Sequence, residues 1–317
     1  MWSINATLAR FLLGLAAVLS VVAAGCGGGG GGGGQGELSG LDIAVGSKEF
    51  TEQVILGQIA VLALENAGAN VTDQTGLAGT EVARQALEAG EIGAYWEYTG
   101  TGWINFLGET EPIPDPQEQY QAVADRDLEE NNIRWLEPGS ANNVYGIAVR
   151  GEAQEELGVE RLSDFNTLIA ERPEDATLCI ASEFATRDDG LPGMEEAYGF
   201  EFPEENISQL DEGVIYNATD AGDPCNFGEV FRTDGRITGL DLALLEDDEE
   251  FFPIYNPSFT VRGEVFDQYP QIEDIFGPIS AALTNEALQE MNAAVDVDGE
   301  LEEDVAERFL RDNGFIG

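Results

Sequence analysis

The chain has 317 residues, with 61 acidic and 14 basic side chains, a formal net charge of −47 and no histidine. This charge excludes a nucleic-acid partner, because phosphate binding needs a basic face, and the lack of histidine excludes His-based triads and His metal sites. Repulsion among the acids would strain a compact chain, whereas molar salt, with a Debye length of about 3 Å, would screen it. The composition is typical of a halophile's protein, the alternative being a merely acidic secreted protein.

Composition also bounds the number of domains. Hydrophobic residues make up 43 % of the chain, and the roughly 275 residues beyond the N-terminal region suit two domains of ordinary size. The acidic runs "LEDDEE" and "DVDGELEED" lack the ligand spacing of a calcium loop. We therefore expect solvated acidic faces, and neither a metal nor a cofactor.

The N-terminal region is typical of an export signal. Arg10 precedes the apolar run "FLLGLAAVLSVVAAG", which is short for a transmembrane helix and ends in small residues. Cys26 follows directly, in "VVAAGC", which resembles a lipobox. We predict a signal peptide over 1–25, a lipidated Cys26 and a flexible glycine-rich tether through residue 40. The alternative is plain cleavage beside an incidental cysteine.

The first elements alternate between strands and helices. "LDIAVGS" predicts a buried strand, "FTEQVILGQIAVLALENAG" a helix that Gly68 ends, and "NVTDQTG" a short strand. "GTEVARQALEAG" predicts a second helix, with Thr80 as its N-cap and Gly90 as its end, before the strand "IGAYWEYTG". This alternation predicts a parallel sheet with helical crossovers.

A second alternating series begins at "VYGIAVR" and runs to about residue 256, and the remaining sequence is helical: "FGPISAALTNEALQEMNAAVD" and "ELEEDVAERFLRDNG". Cys179 and Cys225 lie in this second series. In an exported chain two such cysteines are candidates for a disulfide, and two free buried thiols are the alternative.

Candidate binding residues follow from the strand ends, because ligands of open α/β sheets bind beyond the carboxyl ends of the strands. Lys48, the only lysine of the chain, follows the first strand, and Tyr98 and Thr101 follow the strand "IGAYWEYTG". In the second series, this rule selects Ser182 to Arg187. Tyr145, which opens the series, is a further candidate, and the segments "FRTDGRI" and "FFPIYNPS" supply Phe231 and Tyr255.

Seven motifs, in order, carry a family resemblance: "GSKEFTEQ", "GLAGTEVARQAL", "YWEYTGT", "NNVYGIAVR", "ASEF", "FRTDGRI" with the following "DLALLEDDEEFFPIY", and "AERFL". Together they resemble the substrate-binding proteins of glycine betaine/choline/carnitine ABC importers, over about residues 41–317. The resemblance implies an α/β, two-lobed type II periplasmic-binding-protein fold with a ligand cleft between the lobes. Lobe 1 would comprise 41–143 and 257–317, and lobe 2 would comprise 144–256.

The resemblance also implies a site. Members of the family hold a trimethylammonium head in an aromatic box and fix a carboxylate with basic and hydroxyl groups. The box here would be Tyr98, Tyr145, Phe231 and Tyr255, the carboxylate clamp Lys48, Thr101 and Arg187, and Asn143 would lie on the cation side. A quaternary ammonium has no N–H to donate, so ring faces recognise it better than hydrogen-bonding groups do.

The implied function is capture of a quaternary ammonium osmolyte outside the cell and its delivery to a membrane permease. One alternative keeps the fold and binds a polar amino acid through an Arg and an Asp. Another is an enzyme on the same fold, which the lack of histidine and of a nucleophile motif disfavours. The sequence leaves glycine betaine, choline, carnitine and proline betaine open.

Overall fold

The computed structural model describes residues 36–109 and 113–317. The predicted signal peptide, Cys26 and the run of glycines lie outside the described residues. Two five-stranded sheets organise the described chain. In spatial order, the first contains β2 (Asn70–Leu77), β1 (Asp42–Lys48), β3 (Ala94–Tyr98), β10 (Pro257–Arg262) and β4 (Ile133–Trp135), and the second contains β7 (Ile207–Gln209), β6 (Leu178–Ile180), β8 (Phe227–Phe231), β5 (Tyr145–Arg150) and β9 (Leu242–Leu244).

Helices cover the sheets and connect their strands. They are α1 (Thr51–Asn66), α2 (Thr80–Ala89), the short α3 (Thr99–Thr101), α4 (Pro116–Asn131), α5 (Gly151–Leu157), α6 (Phe165–Glu171), α7 (Leu191–Tyr198), α8 (Glu212–Ala221), α9 (Arg236–Gly239), α10 (Gly263–Gln268), α11 (Ile272–Ala282), α12 (Asn285–Asp296) and α13 (Glu302–Asp312). The helical segment predicted over 276–296 forms the end of α11 and the whole of α12, which Thr284 caps, its Oγ1 accepting from the Ala287 N–H at 3.2 Å.

Each sheet is mixed, which corrects the prediction of a parallel sheet. Three neighbouring strands are parallel in each, and the fourth and fifth run antiparallel to their neighbours. In the first sheet the fourth position is taken by β10, from the far end of the chain, and in the second it is taken by β5. The chain thus crosses between the sheets at 136–144 and 245–256, and we propose that these connections bound the lobes at the predicted positions 143/144 and 256/257.

Apolar packing holds the first sheet against α1, α11, α12 and α13. Trp96 on β3 is fully buried and meets Phe259 of β10 edge-on at 5.4 Å between ring centroids, while Phe259 stacks on Phe276 at 3.7 Å. Burying side chains of this size stabilises a fold by about 1.5–3 kcal/mol each. Trp96 is therefore a packing residue of lobe 1, as its strand position in the sequence suggests.

The second sheet carries its own core and a covalent link. Phe165 contacts Phe200, Phe202 and Phe227 at 4.8–5.4 Å between ring centroids. Cys179 of β6 and Cys225, two residues before β8, form a disulfide with a Cα–Cα distance of 5.6 Å. Since β6 and β8 are neighbours in the sheet, this bond joins adjacent strands within lobe 2.

The described residues show neither a membrane-spanning helix nor a metal-binding group. None of the helices in 36–109 and 113–317 is long and apolar enough to cross a membrane. Over the same residues, acidic side chains and cysteines do not gather in a group that could hold a metal ion.

Candidate ligand-binding cleft

One cavity gathers all of the residues that the sequence selected for ligand binding. Lys48 ends β1 and Tyr98 ends β3, while Tyr145 begins β5 directly opposite Phe231 at the end of β8. Because β5 runs antiparallel to β8, its first residue lies at the same sheet edge as the last residue of β8. The predicted residues that line the cavity are Lys48, Tyr98, Thr101, Asn143, Tyr145, Arg187, Phe231 and Tyr255.

The aromatic side of the cavity is a set of rings in mutual contact. Tyr145 stacks on Phe231 with 5.0 Å between ring centroids, and Tyr255 meets Tyr145 edge-on at 5.8 Å. Phe50, just before α1, also stacks on Phe231, with 5.1 Å between ring centroids, and its centroid lies 6.4 Å from that of the Tyr98 ring. Sequence reasoning missed Phe50, which reads as an ordinary apolar residue at the start of a helix.

The space between these rings is small. The cavity has a volume of about 20 Å³, which suffices for about one water molecule. A trimethylammonium group is far larger, so the rings must separate before it enters. A second cavity of about 390 Å³ adjoins the first, since Lys48, Phe50, Asn143, Glu183 and Phe231 are among the residues that line both.

A buried carboxylate holds the side chains on the proposed cation side. Glu52 of α1 is 3 % exposed, and its Oε1 accepts from the Tyr98 hydroxyl at 2.8 Å and from Asn143 Nδ2 at 2.9 Å. Its Oε2 accepts from Thr233 Oγ1 at 2.7 Å and from Asn292 Nδ2 at 2.9 Å. With the proposed lobe boundaries, Thr233 belongs to lobe 2 and the other partners to lobe 1, so that Glu52 would join the two lobes.

Burial raises the pKa of Glu52 above its ordinary value, although hydrogen bonds from Thr233, Asn292 and Tyr98 oppose that shift. The carboxylate fixes the orientation of Tyr98 and Asn143 toward the cavity. The sequence shows Glu52 only as an acid in the first turn of a helix, a position that the helix dipole alone favours. Its role as a four-partner acceptor depends on residues up to 240 positions away.

The two basic residues of the cavity are paired with buried acids. Lys48 is 4 % exposed, and its Nζ donates to Glu97 Oε1 at 2.7 Å, Glu97 being fully buried. Arg187 donates to Asp189 in a bidentate arrangement, Nε to Oδ1 at 2.7 Å and Nη2 to Oδ2 at 2.6 Å. The Tyr255 hydroxyl donates to Asp189 Oδ2 at 2.6 Å. One predicted box residue is thereby tied to one predicted clamp residue.

The start of α2 completes the charged side of the cavity and corrects one expectation. Thr80 is the first helical residue and not the N-cap, which is Gly79 with a φ of 90°, a value that favours glycine. The cap is supplied from elsewhere in the chain: Glu183 Oε1 accepts from the Thr80 N–H at 2.5 Å, and Glu49 Oε2 accepts from the Gly79 N–H at 2.7 Å. A carboxylate 103 residues away thus takes the place of the predicted side-chain cap.

Two further acids near the cavity have shifted pKa values. Burial raises the pKa of Glu212 to about 7, helped by the neighbouring Glu49 and Glu183 and opposed by Lys48 and Arg236. Burial also raises the pKa of Glu229 well above its ordinary value. Burial thus favours the neutral form of each group more than in water, and an added cation nearby would oppose this shift.

The fold and the cleft define the class of protein: a two-lobed, type II periplasmic binding protein whose site is built from residues of both lobes. Residues 42–312 match the family described as the substrate binding domain of ABC-type glycine betaine transport systems, and the chain belongs to that family. Its members are extracytoplasmic substrate-binding proteins of importers, not enzymes.

Individual relatives agree with this assignment. The chain is 37 % identical over 279 residues to the glycine-betaine-binding protein of Pseudomonas aeruginosa, covering 86 % of this chain and 88 % of the relative. It is 34 % identical to the glycine betaine-binding protein YehZ of Escherichia coli, over 86 % of this chain and 91 % of the relative. The solved apo structure of YehZ aligns with a TM-score of 0.63 and 33 % identity, over 86 % of this chain and 99 % of that structure.

Proposed function

We propose that this protein captures glycine betaine or a related quaternary ammonium osmolyte outside the cell and delivers it to the permease of an ABC importer. The supporting observation is the convergence of five aromatic rings, the four predicted ones and Phe50, on one cavity that is also lined by Lys48 and Arg187. Rings that lie beside basic groups fit a ligand with an alkylated cation at one end and an acceptor at the other. The names of the two relatives described above support the same ligand.

The proposed roles follow the two sides of the cleft. Tyr98, Tyr145, Phe231 and Tyr255 present ring faces to the trimethylammonium head, at about 0.5–2 kcal/mol for each cation–π contact. Asn143, held by Glu52, lies beside the head. Several such contacts, together with a charge-assisted bond to a carboxylate, account for roughly micromolar affinity.

The carboxylate of the ligand would meet Lys48, Thr101 and Arg187. Lys48 Nζ uses one of its three N–H donors on Glu97, so donors remain for a ligand. Thr101 Oγ1 lies 3.5 Å from Arg187 Nη2, a long hydrogen bond. A ligand oxygen that bridged the two groups would make a shorter hydrogen bond to each of them. Residues from both lobes make these contacts, and binding therefore favours the closed form.

Native mass spectrometry of the protein purified from its own host is the direct test. We expect a bound species with the mass of glycine betaine or of a close quaternary ammonium relative, removed by unfolding and restored by titration. An adduct with the mass of a polar amino acid, or no uptake of any of these ligands by calorimetry, would contradict the proposal.

We also propose that the protein is held at the outer face of the cell membrane by a lipid on Cys26. The support is the sequence around Cys26, which resembles a lipobox, and the glycine tether that follows it. Expression of Cys26→Ala should release the protein into the soluble extracellular fraction. Retention of this variant with the membrane would contradict a lipid anchor at this residue.

Finally, we propose that the protein works at high salt, since screening is needed for a formal net charge of −47. Its melting temperature should rise by at least about 10 °C between 0.15 M and 3 M salt. A melting temperature that stays constant over this range would contradict a halophilic adaptation.

A further inference from the structure

Glu183 lies among the groups that are proposed to hold a ligand carboxylate. It belongs to lobe 2, follows β6, and lines both cavities of the cleft. Its Oε1 accepts from the Thr80 N–H at 2.5 Å, and its Oε2 accepts from Thr80 Oγ1 at 3.0 Å and from Arg187 Nη1 at 3.5 Å. Partial burial acts to raise the pKa of Glu183, but Lys48, Thr80 and Arg187 together lower it.

These partners are a helix N-terminus, a hydroxyl, a guanidinium and a nearby ammonium. They are the kinds of groups that bind a free carboxylate in proteins. The Glu183 carboxylate therefore occupies a site suited to a ligand carboxylate. We call this site the carboxylate-binding corner and define it by Lys48, Thr80, Thr101 and Arg187.

Arg187 leaves a second carboxylate little room. A guanidinium has five N–H donors, and the structure gives Arg187 five hydrogen bonds. Three of these are long: 3.3 Å from Nη1 to Thr80 Oγ1, 3.5 Å from Nη1 to Glu183 Oε2, and 3.5 Å from Nη2 to Thr101 Oγ1. The two short bonds go to Asp189. A ligand carboxylate can replace only the long bonds, and Glu183 lies at that position.

We propose that Glu183 is a specificity-determining residue that acts as a built-in substitute for the ligand's carboxylate and shifts the preference of the cleft toward quaternary ammonium ligands without one. This inference rests on the proposed function. A zwitterion such as glycine betaine must displace Glu183 or place two like charges side by side, which is costly in a partly desolvated site. Choline needs neither, and its hydroxyl can donate to Glu183.

Displacement of Glu183 is sterically feasible. Its side chain is 34 % exposed and borders the cavity of about 390 Å³, into which it can turn when a carboxylate enters. Glycine betaine therefore still binds, with an affinity lowered by the exchange of one carboxylate for another. The residue sets a ratio of affinities and does not block the site.

The test is a calorimetric comparison of glycine betaine and choline at high salt, using wild type, Glu183→Gln and the matched control Glu49→Gln. Like Glu183, Glu49 is an acid that accepts a hydrogen bond at the start of α2, in its case from the Gly79 N–H. Unlike Glu183, it lines only the larger cavity. Glu183→Gln should raise the ratio of glycine betaine affinity to choline affinity at least about tenfold. Glu49→Gln should leave the ratio within about twofold.

An unchanged ratio in Glu183→Gln, or an equal loss for both ligands, would overturn the inference, since Glu183 would then only hold the lobes together. An equal rise in the ratio for Glu49→Gln would overturn the inference too, because any acid near α2 would then be enough to shift the preference between the two ligands. Absence of binding of both ligands to wild type would instead refute the proposed function, and the inference with it. Thermal unfolding confirms that each variant is folded, and Glu183→Ala replaces the Gln variant if that one is not.

Discussion

The aromatic side of the cleft is filled by its own rings, whereas the carboxylate-binding corner is filled by ion pairs. The ring centroids of Tyr145 and Phe231 lie 5.0 Å apart. When a cation separates these rings, only their mutual contact is lost, at a cost of order 1 kcal/mol. In the corner, Arg187 keeps its short bonds to Asp189 at 2.6–2.7 Å, and a ligand carboxylate must displace Glu183, which lies 3.5 Å from Arg187 Nη1. The difference indicates that the cationic head is the main anchor and that the carboxylate is recognised by exchange.

The largest effect is expected in the corner, from Lys48→Ala. A charge-assisted bond contributes roughly 1.5–3 kcal/mol, so glycine betaine affinity should fall about ten- to a hundredfold, while choline affinity should change much less. Calorimetric titration with both ligands measures this difference. The variant also leaves Glu97 buried without its partner, which costs about 3–5 kcal/mol of stability, so circular dichroism must show that it is folded. Equal losses for the two ligands would remove Lys48 from the carboxylate contact.

The aromatic side is tested by Tyr255→Ala, which should weaken both ligands about five- to thirtyfold, because one ring face contributes about 1–2 kcal/mol. Trp103→Ala is the control, since Trp103 packs in a separate cluster of lobe 1 with its ring 5.9 Å from the Arg126 guanidinium. Tyr255→Phe separates the ring from its hydroxyl, which donates to Asp189 at 2.6 Å. The same loss in Tyr255→Ala and Trp103→Ala, measured by calorimetry, would exclude Tyr255 from the box.

A smaller effect is expected from pH, through Glu212, an acid that lines both cavities of the cleft. Glu212 has a pKa of about 7, so it is mostly neutral at pH 6 and mostly ionised at pH 8. A cation favours the ionised form, and choline affinity should therefore rise about two- to fourfold over this range. Glu212→Gln should flatten the rise, and a profile as steep as that of wild type would show that Glu212 does not contribute.

The smallest effect is expected from Phe231→Tyr. The substitution keeps the ring, which stacks on Phe50 and on Tyr145, and a cation interacts with a ring face and not with the hydroxyl. Affinities for both ligands should stay within about threefold of wild type by calorimetry. A loss greater than tenfold would indicate that the ring edge, and not its face, meets the ligand.

Residues at strand ends could be predicted from the sequence, whereas acids with structural partners far along the chain could not. Lys48 and Tyr98 each lie at the end of a strand that the sequence predicts, and the rule for open sheets places such residues at the cleft. Glu52 and Glu183 are two of 61 acids. In a chain with this many acids, the sequence does not distinguish functional carboxylates from solvated ones. Their environments depend on contacts 46–240 residues away.

The direction of the strands could likewise not be predicted from local sequence patterns. The alternation of strands and helices predicts parallel neighbours, but β10 enters the first sheet from the end of the chain and pairs antiparallel with β3. No local pattern in "NPSFTVR" encodes that choice of partner. The pairing matters for function, because it brings the connection that contains Tyr255 back to the cleft.

A pair of calorimetric titrations shows whether the cleft selects a cationic trimethylammonium head. Glycine betaine and 3,3-dimethylbutanoate have the same shape and the same carboxylate, but the nitrogen cation of the first is a neutral carbon in the second. Glycine betaine should bind, and 3,3-dimethylbutanoate should bind at least about thirtyfold more weakly, because its head gains no cation–π attraction from the rings. Equal affinity for the two would show that the rings form an ordinary apolar pocket, and it would contradict the account.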